Sequence, residues 1–311
     1  MKKNLFISFS GGETSALMTH LLLTKWRDKY EDVKVAFANT GQENEETLEF
    51  VRNCDSAFGF NTAWLEAVPQ QGKIGTKHRI VNFDTASRNG EPFEATIDKY
   101  GIPNQKFPQC TRELKLRPIQ SYLRDLGWLP KSYDTAIGIR ADEATRRSGS
   151  AVQVGIIYPL LDWLPTTKPQ VNSFWDTQPF RLNLAGYQGN CKTCWKKSFR
   201  KLMTIMDENP THFDFFERME RDKGLIGPEF SKSYVNGYHR VFFRGSISVT
   251  DLRQMHANTD WTRAENDAVV YADKAIALDV DPTDGCVESC EVNWTALDEI
   301  KEKNTCLKTK H

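Results

Sequence analysis

The chain has 311 residues, with 41 Lys plus Arg against 41 Asp plus Glu and a formal charge of zero. That length buries a full core without disulfide staples, and the charge balance excludes a protein whose main work is neutralising a nucleic-acid backbone. With 39% hydrophobic and 26% charged residues the composition is globular, neither disordered nor collagen-like, and the apolar runs are too short to span a bilayer.

Met1-Lys2-Lys3 before Leu5-Phe6-Ile7 has the opening of a signal peptide, but the run breaks at Ser8 and no cleavage site follows, so a cytoplasmic protein is expected. Residues 5–9 are apolar and β-prone, end in Ser10-Gly11-Gly12-Glu13-Thr14-Ser15, and lead into a helical pattern through Ala16, Leu17, Met18 and Leu21. A second strand at 33–38 stops at Asn39-Thr40-Gly41, and Thr47, Leu48, Val51, Cys54 and Phe58 follow at helical spacing. Further strands are expected at 63–68 and 134–139, and a helix at 111–126. This alternation predicts an α/β fold, a doubly wound and mainly parallel sheet that binds ligands beyond the carboxyl ends of its strands.

Between 69 and 108 glycines and prolines punctuate a polar stretch, which predicts a lid-like or surface insertion. Residues 165–179 read as a linker or irregular crossover, and helices are expected at 199–206 and 212–223. The organisation expected is a nucleotide-binding domain over 1–163, carrying the insertion 69–108, and a mostly helical, cysteine-containing region over 164–311.

SGGETS between a strand and a helix supplies small residues, free amides and two hydroxyls at a turn of phosphate size. It lacks the spacing of the Mg²⁺-ATPase phosphate loop. Four further stretches accompany it in order: Phe37-Ala38-Asn39-Thr40-Gly41-Gln42-Glu43; Cys110-Thr111-Arg112-Glu113-Leu114-Lys115 with Pro118; Gly138-Ile139-Arg140-Ala141-Asp142-Glu143 with Arg146 and Arg147; and Tyr158-Pro159-Leu160-Leu161-Asp162-Trp163. Together, over residues 4–163, they resemble the phosphoadenosine phosphosulfate (PAPS) reductase family within the adenine nucleotide alpha hydrolases, the PP-loop ATP pyrophosphatases. Thr14, where an aspartate often stands, resembles a phage and mobile-element branch. The amides of Gly11 and Gly12 with the hydroxyls of Ser10 and Ser15 suit a phosphate or sulfate, Arg140 and Arg146 suit a second anionic group, and Lys115 adds a point charge there. For the arginines, surface pairing with Asp142 and Glu143 is the competing explanation. Asn39 and Glu43 suit ribose or purine contacts, and a turn and a helix-start carboxylate explain them equally.

The seven cysteines are an odd number in a chain expected in a reducing compartment, which argues against a disulfide scaffold. Cys191 and Cys194 have the spacing of a shared metal ion, Cys286 and Cys290 form a second close pair, and Cys110 lies in a motif where relatives carry cluster cysteines. Three explanations stand open: a 4Fe–4S cluster on Cys191, Cys194 and two of Cys110, Cys286 and Cys290; zinc on the same ligands; or inert thiols. Cys54 is assigned to the core and Cys306 to a polar tail. The basic run Lys192, Lys196, Lys197, Arg200 and Lys201 reads as the solvated face of a helix whose Trp195, Phe199 and Leu202 pack inside, in preference to a nucleic-acid surface. The six histidines lack metal-binding spacing.

The resemblance implies an enzyme that binds an adenine nucleotide, PAPS or ATP, and carries out thiol-dependent sulfonucleotide reduction or related sulfur transfer, with a thiol reductant such as thioredoxin as partner. The Glu-Cys-Gly-x-His motif of assimilatory PAPS reductases does not occur. Two alternatives are an ATP pyrophosphatase that adenylylates a nucleic-acid or small-molecule acceptor for sulfur insertion, and a non-catalytic nucleotide sensor with structural zinc. No membrane partner is expected, and homo-oligomerisation is left open.

Overall fold

The computed structural model describes residues 2–227 and 238–268, so Cys286, Cys290 and Cys306 lie outside the described residues. Six strands, β1 (Asn4–Ser8), β2 (Val33–Asn39), β3 (Ala63–Pro69), β4 (Thr76–Val81), β5 (Tyr133–Ala136) and β6 (Ile156–Ile157), form one sheet in the order β4-β3-β2-β1-β5-β6. Every pairing is parallel except that of β4 with β3. Side chains alternate across a strand: Leu5 and Ile7 enter one apolar cluster while Phe6 enters the cluster on the opposite face. Both faces are therefore covered, as a parallel sheet requires.

Helices α1 (Glu13–Thr24) and α2 (Glu45–Phe58) cover the first face. Leu116 and, from α4, Ile119 and Leu123 cover the second; an intervening α3 spans Glu91–Tyr100 and α4 spans Arg117–Asp125. The expected α/β doubly wound fold is thus the one observed. Strand bounds match the sequence reading within a few residues, and the helix expected at 111–126 opens with a π-helical turn over Thr111–Leu116.

Two stretches depart from expectation. The insertion 69–108 is ordered: β4 extends the sheet as an antiparallel edge, and Phe93 and Ile97 of α3 pack in a third apolar cluster with helices from the far end of the chain. Its apolar signal is weak because an edge strand keeps polar and charged positions, here Lys77, His78 and Arg79. The fully buried Glu66 of β3 then fixes the start of the insertion, accepting from Arg79 Nε at 2.8 Å, Ser87 N at 2.6 Å and Asn39 Nδ2 at 2.6 Å. Residues 165–179 are likewise not an irregular crossover. After two short helices, α5 (Ala151–Val154) and α6 (Pro159–Asp162), helix α7 (Lys168–Asp176) begins with a Thr167–Gln170 capping box. Val171 and Trp175 of α7 belong to the sheet's own core, and the Trp175 indole donates to Glu13 O at 3.1 Å. The sheet's packing unit therefore continues past the expected boundary at 163.

The remaining helices are α8 (Phe199–Glu208), α9 (Asp214–Lys223) and α10 (Val249–Asn258). Leu202, Phe216, Met219, Phe242 and Leu252 join them in the third cluster. Buried Glu220 of α9 accepts from Phe242 N at 2.9 Å and from Val249 N, the first residue of α10, at 2.7 Å. Burial pushes its carboxyl up to about 7, despite those donors. The folded chain holds this proton more tightly than the unfolded chain does. The associated stability is therefore complete below pH 4.5 and is lost as pH rises to about 7. A shift of that size is worth about 3 kcal/mol. Urea unfolding followed across this window should show wild type losing about that much more stability than Glu220→Gln, which keeps an acceptor without the charge; parallel curves would refute the assignment.

Candidate nucleotide site

The loop after β1 is shaped by a close approach. Gly11 sits at φ +81°, and a Cβ there would lie 2.7 Å from Thr47 Cγ2 of α2, so only glycine serves. Gly12 is the extended residue before α1, which turns the amino end of the helix and its partial positive charge toward the space beyond the sheet. The hydroxyls of the loop face each other: Ser15 Oγ lies 2.9 Å from Ser10 Oγ, accepts from Ser10 N at 3.2 Å and donates to Gly12 O at 2.9 Å. Their visible work is to hold the loop's shape. Glu13 turns aside and accepts from Arg181 Nε at 3.0 Å and Leu182 N at 3.3 Å; burial raises its carboxyl while Arg181 pulls the other way.

Arg140 follows β5 and is 5% exposed. Its guanidinium donates to Asp142 at 3.0 Å and to Thr14 Oγ1 at 3.4 Å, so it is carried by a local carboxylate and still reaches the phosphate loop. The local pairing with Asp142 is the one expected from the sequence. Arg146 donates to Glu143 Oε1 at 2.5 Å and does not line the loop's cavity. Lys115 is nearly buried with its Nζ 4.0 Å from Glu43 Oε1.

The turn after β2 is self-contained. The Asn39 side chain donates to Glu66 and Ser87 and accepts from Gly41 N at 3.1 Å, and the Glu43 carboxylate accepts from Thr40 N at 2.8 Å and Thr40 Oγ1. Both residues build the turn and stand apart from the cavity lining. Residues 189–192 lie antiparallel to this turn. Asn44 N donates to Asn190 O at 2.8 Å, Lys192 N to Gln42 O at 2.9 Å, and Asn44 Nδ2 to Gly189 O at 2.8 Å. Asn190 Nδ2 then donates to Ser10 O at 2.7 Å. The cysteine segment is thereby strapped across the carboxyl ends of β1 and β2.

The result is a cavity of about 340 Å³ whose lining includes Ser10, Gly12, Thr14, Ser15, Arg140, Cys191 and Cys194, a size that suits a small ligand. Among the described residues Lys168, Arg181, Lys196, Lys197 and Lys201 also line it, with the carboxylate of Glu13. The expectation of a solvated basic face fails here: Lys197 is 8% and Lys201 7% exposed, Lys197 donating to Cys191 O and Lys201 lying in the first turn of α8 beside Leu202. Asn44, Asn190, Lys168 and Arg181 were not singled out from the sequence. Their only signal is a side-chain type common in any loop.

A family model of the phosphoadenosine phosphosulfate reductase domain matches residues 4–174. The chain belongs to the PAPS reductase family. Among its relatives, an uncharacterized nin-region protein of Escherichia phage lambda is 31% identical over 302 residues, 94% of this chain and 96% of the phage protein, in keeping with the phage branch that Thr14 resembles. An uncharacterized protein of Methanocaldococcus jannaschii is 29% identical over 167 residues, 51% of this chain and 33% of its own. The crystal structure of phosphoadenylyl-sulfate (PAPS) reductase from Candida auris, a phosphate complex, overlaps with TM-score 0.35 at 18% identity, covering 58% of this chain and 75% of that one.

Membership of the PAPS reductase family raises the question of a cluster or metal. The cysteines among the described residues are Cys54, Cys110, Cys191 and Cys194. Cys54 is in the core, where burial drives its thiol far upward. Cys110 Sγ accepts the Trp195 indole N–H at 3.4 Å and packs beside the third cluster. Among the described residues no three His, Cys, Asp or Glu side chains gather as a metal ion requires. Cys286 and Cys290 lie outside the described residues. Also among these, no helix is long and apolar enough to cross a membrane.

Arg140→Ala should weaken binding of adenosine 3′,5′-bisphosphate roughly 10- to 100-fold by calorimetry, the loss of a charged hydrogen bond. Arg147→Ala, which removes a surface pair with Asp162, should leave it unchanged. Equal affinity of Arg140→Ala and wild type would remove Arg140 from the site.

Proposed function

We propose that the cavity binds an adenine nucleotide with a phosphate at the Ser10–Ser15 loop, and that the chain performs thiol-dependent reduction of a sulfonucleotide such as PAPS. One observation carries this reading: two thiols, Cys191 and Cys194, line the same cavity as the phosphate loop and Arg140. A sulfonucleotide joins a phosphate to a sulfate, and reduction needs a sulfur nucleophile within reach of an anion held in a cationic site. The lysine-rich lining supports that role, since it offsets both the charge of the sulfonate and that of a thiolate. Ser10, Gly11, Gly12, Thr14 and Ser15 hold the phosphate through loop amides and helix dipole, Arg140 takes a second anionic oxygen, and Lys115 and Arg146 add charge from behind. A dithiol reductant of thioredoxin type restores the thiols.

The competing ATP pyrophosphatase chemistry is less well supported. Magnesium favours carboxylate ligands, and the loop offers Thr14 where an acid often stands while Glu13 is engaged by Arg181. The cluster or zinc expected from the sequence would draw on Cys191 and Cys194 together with two of Cys110, Cys286 and Cys290, whereas the reduction needs thiols alone.

Protein purified without oxygen, incubated with PAPS or with ATP, is expected to release sulfite from PAPS with a dithiol present and no pyrophosphate from ATP. Pyrophosphate without sulfite would establish the alternative chemistry, and nucleotide binding with neither product would establish a sensor. Iron, zinc and sulfide content of the same sample decides the metal.

A further inference from the structure

We infer that Cys191 and Cys194 are a nucleophile and resolving dithiol, so that a single chain completes one sulfonucleotide reduction before any external reductant acts. This inference rests on the reduction proposed above and adds where both electrons come from. A reductase with a single reactive cysteine must have its covalent intermediate resolved by a second protein. Here the two cavity thiols are three residues apart, on a turn formed by Lys192 and Thr193. A turn of that length brings its end Cα atoms within about 7 Å, a limit that overlaps the roughly 4.4–6.8 Å that a disulfide spans.

The turn is held from both sides. Asn44 N and Lys192 N close the ladder to residues 42–44; Lys197 Nζ donates to Cys191 O at 2.6 Å and Lys197 N to Cys194 O at 3.0 Å. Thr193 is fully buried between the two cysteines. Cys191 Sγ donates toward Glu43 Oε1 at 3.8 Å, and both cysteines line the cavity that the phosphate loop shares. Lys196, Lys197 and Lys201 line the same cavity, and their charge draws an anionic sulfonucleotide toward the turn.

The chemistry balances. One thiolate attacks the sulfonate sulfur, the bond from sulfur to the bridging phosphate oxygen breaks, and its electron pair leaves on that oxygen. The cysteine now carries a sulfonate. The other thiolate attacks the cysteine sulfur, forms the Cys191–Cys194 disulfide and expels sulfite. Two thiols have been oxidised by two electrons, sulfate sulfur has been reduced by two, and the thiol protons go to solvent. An external dithiol reopens the disulfide. Either order of attack closes the same disulfide.

The test is a single turnover. Full-length protein is reduced, freed of reductant without oxygen and mixed with PAPS; sulfite is quantified and the cysteines are mapped by alkylation and mass spectrometry. The expected result is one sulfite per chain, with Cys191 and Cys194 alone protected from alkylation until a dithiol is added. Of the variants Cys191→Ser and Cys194→Ser, one should retain a sulfonate adduct on its remaining cavity cysteine with sulfite at background, and both should bind adenosine 3′,5′-bisphosphate like wild type, which reports that they fold. Sulfite from the double serine variant with reductant present would overturn the dithiol and leave the reduction standing. Oxidation mapped to Cys286 and Cys290, or stoichiometric metal held by Cys191 and Cys194, would overturn it equally. No sulfite from any form would overturn both readings.

Discussion

The site depends on one crossing of the chain. Residues 189–194 lie over the carboxyl ends of β1 and β2, pinned by Asn190 to the phosphate loop and by Asn44 and Gln42 to the neighbouring turn. A parallel sheet places its ligand space at those strand ends whatever the chain does elsewhere. What the crossing adds is chemistry, because it delivers two thiols from a segment remote in sequence into a space that β1 and α1 otherwise fit only for binding an anion. Two of the contacts that hold it are backbone hydrogen bonds, which fix position without specifying side chains. The side-chain amides of Asn44 and Asn190 supply the remainder.

That placement explains how a chain of zero net charge can hold a strongly cationic cavity. Lys168, Lys197 and Lys201 are each less than a tenth exposed and all line it. Burying an ammonium costs several kcal/mol unless charge or hydrogen bonds offset it, and carbonyls do part of that here, as Cys191 O does for Lys197. For Lys168 the Asp267 carboxylate stands 3.7 Å away. The same logic separates Glu13 from the site: paired with Arg181, it helps anchor residues 181–182 to α1 and leaves the loop's charge to Arg140.

The sheet and its loops were legible because their signals are local. Leu5, Phe6 and Ile7 followed by SGG fix a strand and a turn, and Gly11 is required by contacts that the glycine itself announces. Other parts were hidden by long-range packing. β4 has no apolar alternation because it is an edge, α7 sits in a segment whose prolines suggest a linker although Pro169 falls in the first turn of a helix, where proline is tolerated, and Lys197 and Lys201 look solvated until the strap turns them inward. Asn39 and Glu43 show the reverse effect. Their motif points to ligand contact, yet their polar atoms are spent on the turn that supports the strap, so their value to the site is positional.

The insertion and the distal helices close the argument about rigidity. Phe93 and Ile97 of α3 share an apolar cluster with Leu202 of α8, Phe216 of α9 and Leu252 of α10, which ties the edge of the sheet to the segment that follows the cysteines. On that side Arg244 donates to the carbonyls of Lys196 and Lys197 at 3.1 Å, and Ser198 caps α8. The cysteine turn is thus fixed by the phosphate loop and the β2 turn before it, and by a packed helical cluster after it. Reactive groups held between ordered elements keep their geometry far better than groups on a loose loop, and two thiols that must meet the same sulfur in succession need that geometry twice.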